Sequence, residues 1–197
     1  MTVKTVPSGR EALLDAGRNL FLVHGYTDVS MQQIAEAAGM TKGAPYYHFK
    51  NKDELFMEVF QQEIDRIKNG FVSHLSADGP FRVRLEKATA FIISNTQSDL
   101  NRLFSDFEHC VAPSYHKDAE KSAREHANMV GKLLPYFAEA HARGEFNRRT
   151  PEQATYLFLL LTMGQMQWMR NEENRDILGK TPDEIAAMLI ETLFDGI

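Results

Sequence analysis

The chain has 197 residues, 43% of them hydrophobic and 25% charged, with 27 acidic and 22 basic side chains, which is typical of a soluble globular protein. Its single cysteine, Cys110, rules out an intramolecular disulfide, so we expect a reducing, cytoplasmic location. The longest apolar run, residues 156–161, is far shorter than the roughly 18 residues of a membrane span, and the charged N-terminus lacks the apolar stretch of a signal peptide.

Apolar residues recur at three- and four-residue spacing along nearly the whole chain, without strand-like alternation or an internal repeat. This pattern predicts an all-α protein of about nine helices. The expected helices cover residues 8–24, 31–37, 42–48, 52–75, 81–97, 99–111, 117–143, 151–170 and 182–195.

Four helix starts carry a capping pattern, in which a short oxygen acceptor is followed three residues later by Glu or Gln. The pairs are Ser30 with Gln33, Asn51 with Glu54, Thr150 with Gln153, and Thr181 with Glu184. In the last two, a proline occupies the first helical position, where no amide hydrogen is needed. On the first helix, Gly17 lies on the apolar face and would permit a close helix contact.

Residues 30–52 have the pattern of a helix-turn-helix unit. A short helix meets Gly39, and a second short helix is expected to open at Thr41. Ala35 is small enough to let the two helices cross closely. The second helix would enter a DNA major groove, and its outward residues are Lys42, Tyr46, Tyr47 and His48. A helical hairpin that only packs remains the alternative at this point.

The charge distribution agrees with a nucleic-acid partner at the N-terminal end only. Residues 1–52 carry a net charge of +2, whereas the rest of the chain carries −7. Scattered solvated charge is the alternative explanation of so small an excess.

Residues 31–55, MQQIAEAAGMTKGAPYYHFKNKDEL, resemble the DNA-binding signature of the TetR family of bacterial transcriptional regulators. Residues 16–25, with the Gly25-Tyr26 pair, are similar to the segment that precedes this signature, so that about the first 56 residues match. The resemblance implies a homodimer whose two N-terminal heads bind a palindromic operator. It also implies a three-helix DNA-binding domain at residues 1–51 and a helical effector-binding and dimerisation domain at residues 52–197, most often in a repressor.

By position in the motif, the resemblance implies two groups of DNA contacts. Those expected to reach base edges are Gln32, Lys42, Gly43 and Ala44, and Thr41 beside them is also expected to contact DNA. Those expected to bind mostly phosphates are Ser30, Tyr46, Tyr47, His48 and Lys52. Pro45 stands where the family more often has Leu, Val or Ile, and because proline removes a helical hydrogen bond, we expect this helix to start late or to be tightly wound.

The last two helices carry surplus apolar surface, which indicates a second subunit. The helix at 151–170 is apolar nearly all round and should be buried on every side. The family's dimer is built from its last two long helices. The expected interface residues are Leu157, Leu161, Gln165, Trp168, Ile185, Met188, Leu189 and Thr192. Burial within one chain is the alternative for either helix alone.

Methionine and aromatic side chains in the C-terminal part predict a pocket for a largely apolar or aromatic small-molecule effector. The expected lining is Phe104, Phe107, Met129, Leu133, Phe137, Met163 and Trp168. Ordinary core packing is the alternative for each of them.

We predict no catalytic residues, no metal site and no cofactor. His109, Cys110, His116 and His126 match no metal-ligand spacing, and a buried, inert thiol with surface histidines is expected. A small helical enzyme is disfavoured, because no Gly-rich phosphate loop, paired carboxylates or nucleophile arrangement is found. A helical ligand-binding or scaffold protein whose head no longer binds DNA remains the main alternative, favoured by Pro45 and the acidic total.

Overall fold

A computed structural model describes residues 8–96, 100–111, 119–169, 174 and 179–196. Within these ranges every regular element is helical, which confirms the all-α class. The α-helices are α1 (Gly9–His24), α2 (Met31–Ala37), α3 (Lys52–Leu75), α4 (Phe81–Thr96), α5 (Leu100–Asp106), α6 (Ala119–Ala142), α7 (Pro151–Trp168) and α8 (Pro182–Asp195). A 3₁₀ helix spans Ala44–Tyr47, and a π-helical turn, Phe107–Val111, follows α5.

The helix starts follow from capping within the first turn. The predicted capping boxes are confirmed at Ser30, Thr150 and Thr181. At α3 the Glu54 N–H donates to Asn51 Oδ1 at 2.9 Å, while the Glu54 carboxylate accepts from the Lys50 N–H, one residue earlier than the pattern predicts. A further box, Ser8 with Glu11, starts α1. Local hydrogen bonding therefore sets these starts.

The chain divides into two compact units. The first comprises Met1–Arg66 and Asp99–His116, and the second comprises Ile67–Ser98 and Lys117–Ile197. Helix α3 therefore begins in the first unit and ends in the second. The predicted boundary between residues 51 and 52 stays a prediction about how function is divided along the chain.

The core of the first unit forms where α1 meets α3. Phe21 and Phe56 are fully buried, and their rings meet edge-on with centroids 5.1 Å apart. A Cβ placed on Gly17 would lie 2.6 Å from Cδ2 of the fully buried Leu55. The predicted close approach at Gly17 is therefore confirmed.

The core of the second unit is built from α4, α6, α7 and α8. Phe81, Phe137 and Phe158 lie within one buried cluster, and the Phe81 and Phe137 rings meet edge-on at 4.9 Å. Burying side chains of this size contributes about 1.5–3 kcal/mol each. Apolar packing therefore holds these four helices together.

The chain by itself buries only one side of helix α7. Tyr156, Leu160 and Met163 are 61%, 53% and 39% exposed in the single chain, so burial on every side stays a prediction that requires a second subunit. Phe158 and Leu159 are buried, so only part of the helix surface meets the chain's own core.

Among the described residues, no helix is both long and apolar enough to cross a membrane.

Candidate nucleic-acid interface

The helix-turn-helix unit lies in the head, which we define as residues 9–56. Helix α2 packs against α1 and against the 3₁₀ helix. Ala35 and Ile34 are fully buried, as a close crossing at Ala35 requires. Pro45, in the 3₁₀ helix, and Phe49, two residues after it, are also buried, and the Arg10 guanidinium lies 5.0 Å from the Phe49 ring centroid.

A turn of defined geometry joins α2 to the 3₁₀ helix. The Gly39 N–H donates to the Glu36 carbonyl at 3.0 Å, and the Met40 N–H donates to the Ala35 carbonyl at 2.8 Å. These two bonds form a Schellman motif, which needs a residue with positive φ at its centre. Gly39 supplies it with φ = 70°, a conformation that costs other residues more. This single turn sets the direction in which the 3₁₀ helix leaves α2.

The recognition element is shorter and tighter than an α-helix. The Ala44 N–H donates to the Thr41 carbonyl at 2.9 Å and the His48 N–H to the Pro45 carbonyl at 3.0 Å, both with three-residue spacing. Pro45 has no amide hydrogen to give the Thr41 carbonyl the four-residue bond of an α-helix. The expected late start and tight winding are confirmed. The expected opening at Thr41 is wrong, since Gly43 is the N-cap and no side chain caps this helix.

Most of the predicted DNA contacts are exposed together on this part of the head. Tyr47 is 88% and Tyr46 is 60% exposed. The other exposed members of the predicted set are Ser30, Gln32, Thr41, Lys42, Gly43 and His48, whereas Ala44 and Lys52 are half-buried. Eight of the ten residues predicted to contact DNA are therefore exposed and accessible to a ligand.

Two of the exposed residues on α2 already have partners within the head. The Ser30 hydroxyl accepts from the Gln33 N–H at 3.2 Å and donates to Gln33 Oε1 at 2.8 Å, as a helix cap. Gln32 Nε2 donates to the Glu36 carboxylate at 2.9 Å. Direct DNA contacts by these groups would have to replace or share these bonds.

Lys52 makes contacts that its sequence position did not indicate. Its Nζ donates to the carbonyls of Tyr26 and Val29 at 2.8 and 2.9 Å and lies 4.0 Å from the Tyr26 ring centroid. Burial lowers the pKa of the Lys52 ammonium below its ordinary value, although the nearby carboxylates of Asp53 and Asp106 act in the opposite direction. The Lys52 ammonium is thus bonded to groups within the head.

The seven predicted effector-lining residues are divided between the two compact units. In the first unit, the ring of Phe60 stacks on Phe107 at 4.4 Å and meets Phe104 edge-on at 5.3 Å. In the second unit, Leu133 and Phe137 are buried in the core. The remaining three, Met129, Met163 and Trp168, are 36–39% exposed. The lining therefore stays a prediction.

The predicted interface residues differ in how far the single chain buries them. Ile185 and Leu189 are buried within the chain, in a cluster with Ala90 and Ile93 of α4. Helix α4 thus supplies the apolar partner that the sequence pattern assigned to a second subunit. Met188 and Trp168 are each 39% exposed, and the half-buried members are Leu157, Leu161, Gln165 and Thr192.

The expectation of a buried thiol is wrong. Cys110 is exposed, and its Sγ lies 4.0 Å from Thr27 Oγ1. His109 is exposed as expected, with Nδ1 2.8 Å from the Ser105 carbonyl oxygen. Within the described ranges, no three His, Cys, Asp or Glu side chains are grouped as metal ligands. His116 and the side chain of His126 lie outside the described residues.

Comparison with known proteins identifies the head. Residues 13–59 match the family described as bacterial regulatory proteins, tetR family. This stretch contains most of α1, all of α2, the 3₁₀ helix and the start of α3, the elements that form the helix-turn-helix unit. The head therefore carries the DNA-binding region of the TetR family.

Curated TetR-family relatives match through the same region. The HTH-type transcriptional regulator AcrR of Shigella flexneri is 44% identical over 52 residues, 26% of this chain and 24% of the relative. The probable acrEF/envCD operon repressor of Escherichia coli (strain K12) is 35% identical over 81 residues, 40% of this chain and 36% of the relative. This chain therefore matches little more than a third of the length of either relative.

Solved structures extend the TetR likeness over nearly the whole chain. A transcriptional regulator of the TetR/AcrR family from Thermobifida fusca is 25% identical with a TM-score of 0.67, over 95% of this chain and 97% of that one. AibR, solved in complex with isovaleryl coenzyme A and operator DNA, is 22% identical with a TM-score of 0.60, over 95% and 98%. The helices beyond the head therefore follow the TetR fold as well.

Proposed function

We propose that this TetR-family regulator binds a palindromic DNA operator as a homodimer and represses transcription until a small, largely apolar or aromatic effector releases it. The observation that carries the proposal is the exposed recognition surface. Tyr46 and Tyr47 are exposed on the 3₁₀ helix, His48 is exposed directly after it, and Lys42 lies two residues before it. Side chains of this kind bind phosphates and base edges.

On this proposal the recognition surface divides its contacts by type. Lys42 and the backbone at Gly43, just before the 3₁₀ helix, would face base edges, whereas the tyrosine hydroxyls and His48 would bind phosphates. Because the 3₁₀ helix is only four residues long, few side chains can enter a major groove from one head. Useful affinity then requires two heads spaced by about one helical turn of DNA, roughly 34 Å, or a multiple of it.

The exposed apolar face of α7 supports the homodimer. Tyr156, Leu160 and Met163 recur at helical spacing and are each at least 39% exposed, and Met188 of α8 adds to the exposed apolar surface of this unit. Contiguous apolar surface on a water-soluble chain usually marks an interface. We place the dimer contact on this face, with Leu157, Leu161, Gln165 and Thr192 at its half-buried margin.

The effector is proposed from residue type and from the relatives. Aromatic and methionine side chains favour apolar ligands. AibR, which has a similar fold, was solved in complex with isovaleryl coenzyme A and operator DNA; this supports a small-molecule effector, although only the acyl part of that ligand is apolar. Repression is proposed from the relatives that are named as repressors. Action in the cytoplasm is proposed because an operator is accessible there.

DNA binding is tested with a labelled fragment from upstream of the chain's own gene, titrated at several salt concentrations beside an unrelated fragment of equal length. We expect tighter binding to the upstream fragment and an affinity that falls steeply with salt. Equal and weak binding to both fragments, with retained binding of apolar ligands, would favour a ligand-binding protein whose head no longer binds DNA.

Effector binding is tested through Trp168, the only tryptophan of the chain. Apolar and aromatic compounds are screened for a change in Trp168 emission, and those that change it are added to the DNA titration. A true effector changes emission and operator affinity over the same concentration range. Compounds that change emission without changing DNA affinity would contradict the proposed coupling.

A further inference from the structure

The ammonium group of Lys52 is bonded inside the head. Of its three N–H donors, two are used by the carbonyl oxygens of Tyr26 and Val29, at 2.8 and 2.9 Å. The aromatic face of Tyr26, 4.0 Å away, adds a cation–π contact. At most one donor remains for a phosphate oxygen.

The two carbonyls belong to the loop at residues 25–30, which joins α1 to α2. Val29 is 2% exposed, and Ser30, the next residue, is the N-cap of α2. Lys52 is the first residue of α3. Its side chain therefore ties the start of the helix-turn-helix unit to the helix that follows this unit.

Other side chains, from α3 and α5, also hold this loop. The Tyr26 N–H donates to the Asp106 carboxylate on α5 at 2.8 Å, and the Tyr26 hydroxyl donates to Asp53. Arg102, also on α5, donates to the Val23 carbonyl at the end of α1. Both polar groups of Tyr26's backbone are thus held by side chains from distant parts of the sequence, so the loop has a defined position.

We propose that Lys52 is a positioning residue for DNA binding, which holds the loop at residues 25–30 and thereby α2 and the recognition surface in place. On this view its contribution to operator affinity comes through the conformation of the head, and phosphate binding by its ammonium is secondary. The proposal deepens the proposed function and rests on it.

The first test uses the DNA-free protein, with Lys52→Met compared with Lys50→Met. Lys50 is an exposed lysine two residues earlier, so it is a matched control for loss of charge. We expect Lys52→Met to lower the denaturant midpoint of unfolding and to speed hydrogen exchange of the Tyr26 and Val29 amides about tenfold, while Lys50→Met changes neither. Unchanged exchange in Lys52→Met would overturn the proposal.

The second test measures operator affinity against salt. Loss of one phosphate contact reduces the magnitude of the slope of log K against log salt by about 0.9. A change in the conformation of the head lowers the affinity but leaves this slope unchanged. We expect Lys52→Met to bind the operator several-fold more weakly with the wild-type slope. A slope reduced by about one, together with wild-type exchange at Tyr26, would show that Lys52 is a phosphate contact and overturn the proposal.

Asp106→Ala gives an independent variant if Lys52→Met does not fold. A carboxylate is repelled by phosphate, so weaker DNA binding after its removal cannot come from a lost DNA contact and would indicate an effect through the loop. We expect weaker operator binding with an unchanged salt slope, and wild-type affinity would count against the proposal. If the wild-type protein binds no DNA, the proposed function fails, while the exchange measurement still decides whether Lys52 holds the loop.

Discussion

Gly17 on α1 faces Leu55 on α3 so closely that a Cβ at residue 17 would lie 2.6 Å from the Leu55 Cδ2 atom. Leu55 is fully buried and has little room to move. We expect Gly17→Ala to lower the free energy of unfolding by about 1–3 kcal/mol, because overpacking forces either the helices or the leucine to shift. Urea unfolding measures the effect.

Gly131 in α6 provides the matched control. A Cβ there would meet nothing within 4 Å, and the residue is exposed. Gly131→Ala should raise stability by about 0.5–1 kcal/mol through helix propensity. Equal effects of the two substitutions would contradict the packing explanation.

Glu63 of α3 lies between two guanidinium groups. The residue is 4% exposed, and its carboxylate is bonded to Arg18 and accepts from Arg66 Nε at 2.9 Å. Burial acts to raise the pKa of Glu63, but the hydrogen bonds and charges of the two arginines outweigh it and hold the pKa below its ordinary value. Because the pKa is lower in the folded state, ionised Glu63 stabilises the fold above the unfolded pKa of about 4.3.

This stabilisation is lost as the pH falls from about 5 through the folded pKa. We expect Glu63→Gln to unfold more easily at neutral pH, by about 1–2 kcal/mol, and to lose less stability than wild type on acidification. Glu139, paired with Arg143 and half exposed, is the control. Glu139→Gln should change stability by less than about 0.5 kcal/mol, and an equal effect at both sites would refute the role of burial.

Pro45 determines the type of the recognition helix. In Pro45→Ala the amide of residue 45 regains a hydrogen and can donate to the Thr41 carbonyl, so we expect the 3₁₀ helix to become an α-helix that starts earlier. Lys42 would then be presented differently to the bases. Selection from randomised DNA should give a changed base preference for the variant, and an identical preference would show that the helix type does not govern recognition.

Leu160 tests the proposed interface. It is 53% exposed on α7, so Leu160→Glu should leave the chain folded but place a charge in the dimer contact, yielding monomers in light scattering. Val83 on α4, 45% exposed, is the matched control, and Val83→Glu should remain a dimer.

Leu189 is expected to behave differently from Leu160. It is 7% exposed and packs within the chain, so Leu189→Arg should unfold the second unit rather than release folded monomers. Folded monomers of Leu189→Arg would mean that this helix face meets the other subunit. A wild-type protein that is monomeric at micromolar concentration would remove the interface proposal.

The sequence by itself determined the features that depend on neighbours three or four residues apart. The box at Ser30 and Gln33 starts α2, Gly39 gives its terminal turn, and Pro45 tightens the helix that follows. Each of these involves a hydrogen bond or a backbone angle set within one turn of chain. For this reason the helix positions, the fold class and the exposed residues around Tyr47 could be predicted before any packing was known.

Only the tertiary structure decided which surfaces and charges meet across long sequence separations. The pattern of α8 shows apolar residues, but not that Ile185 packs against Ala90 of the same chain. A lysine at position 52 shows a charge, but not that the carbonyls of Tyr26 and Val29 surround it. Periodicity records that a side chain is apolar or charged, whereas its partner depends on how distant helices pack, and that packing settles whether Lys52 is bonded within the head.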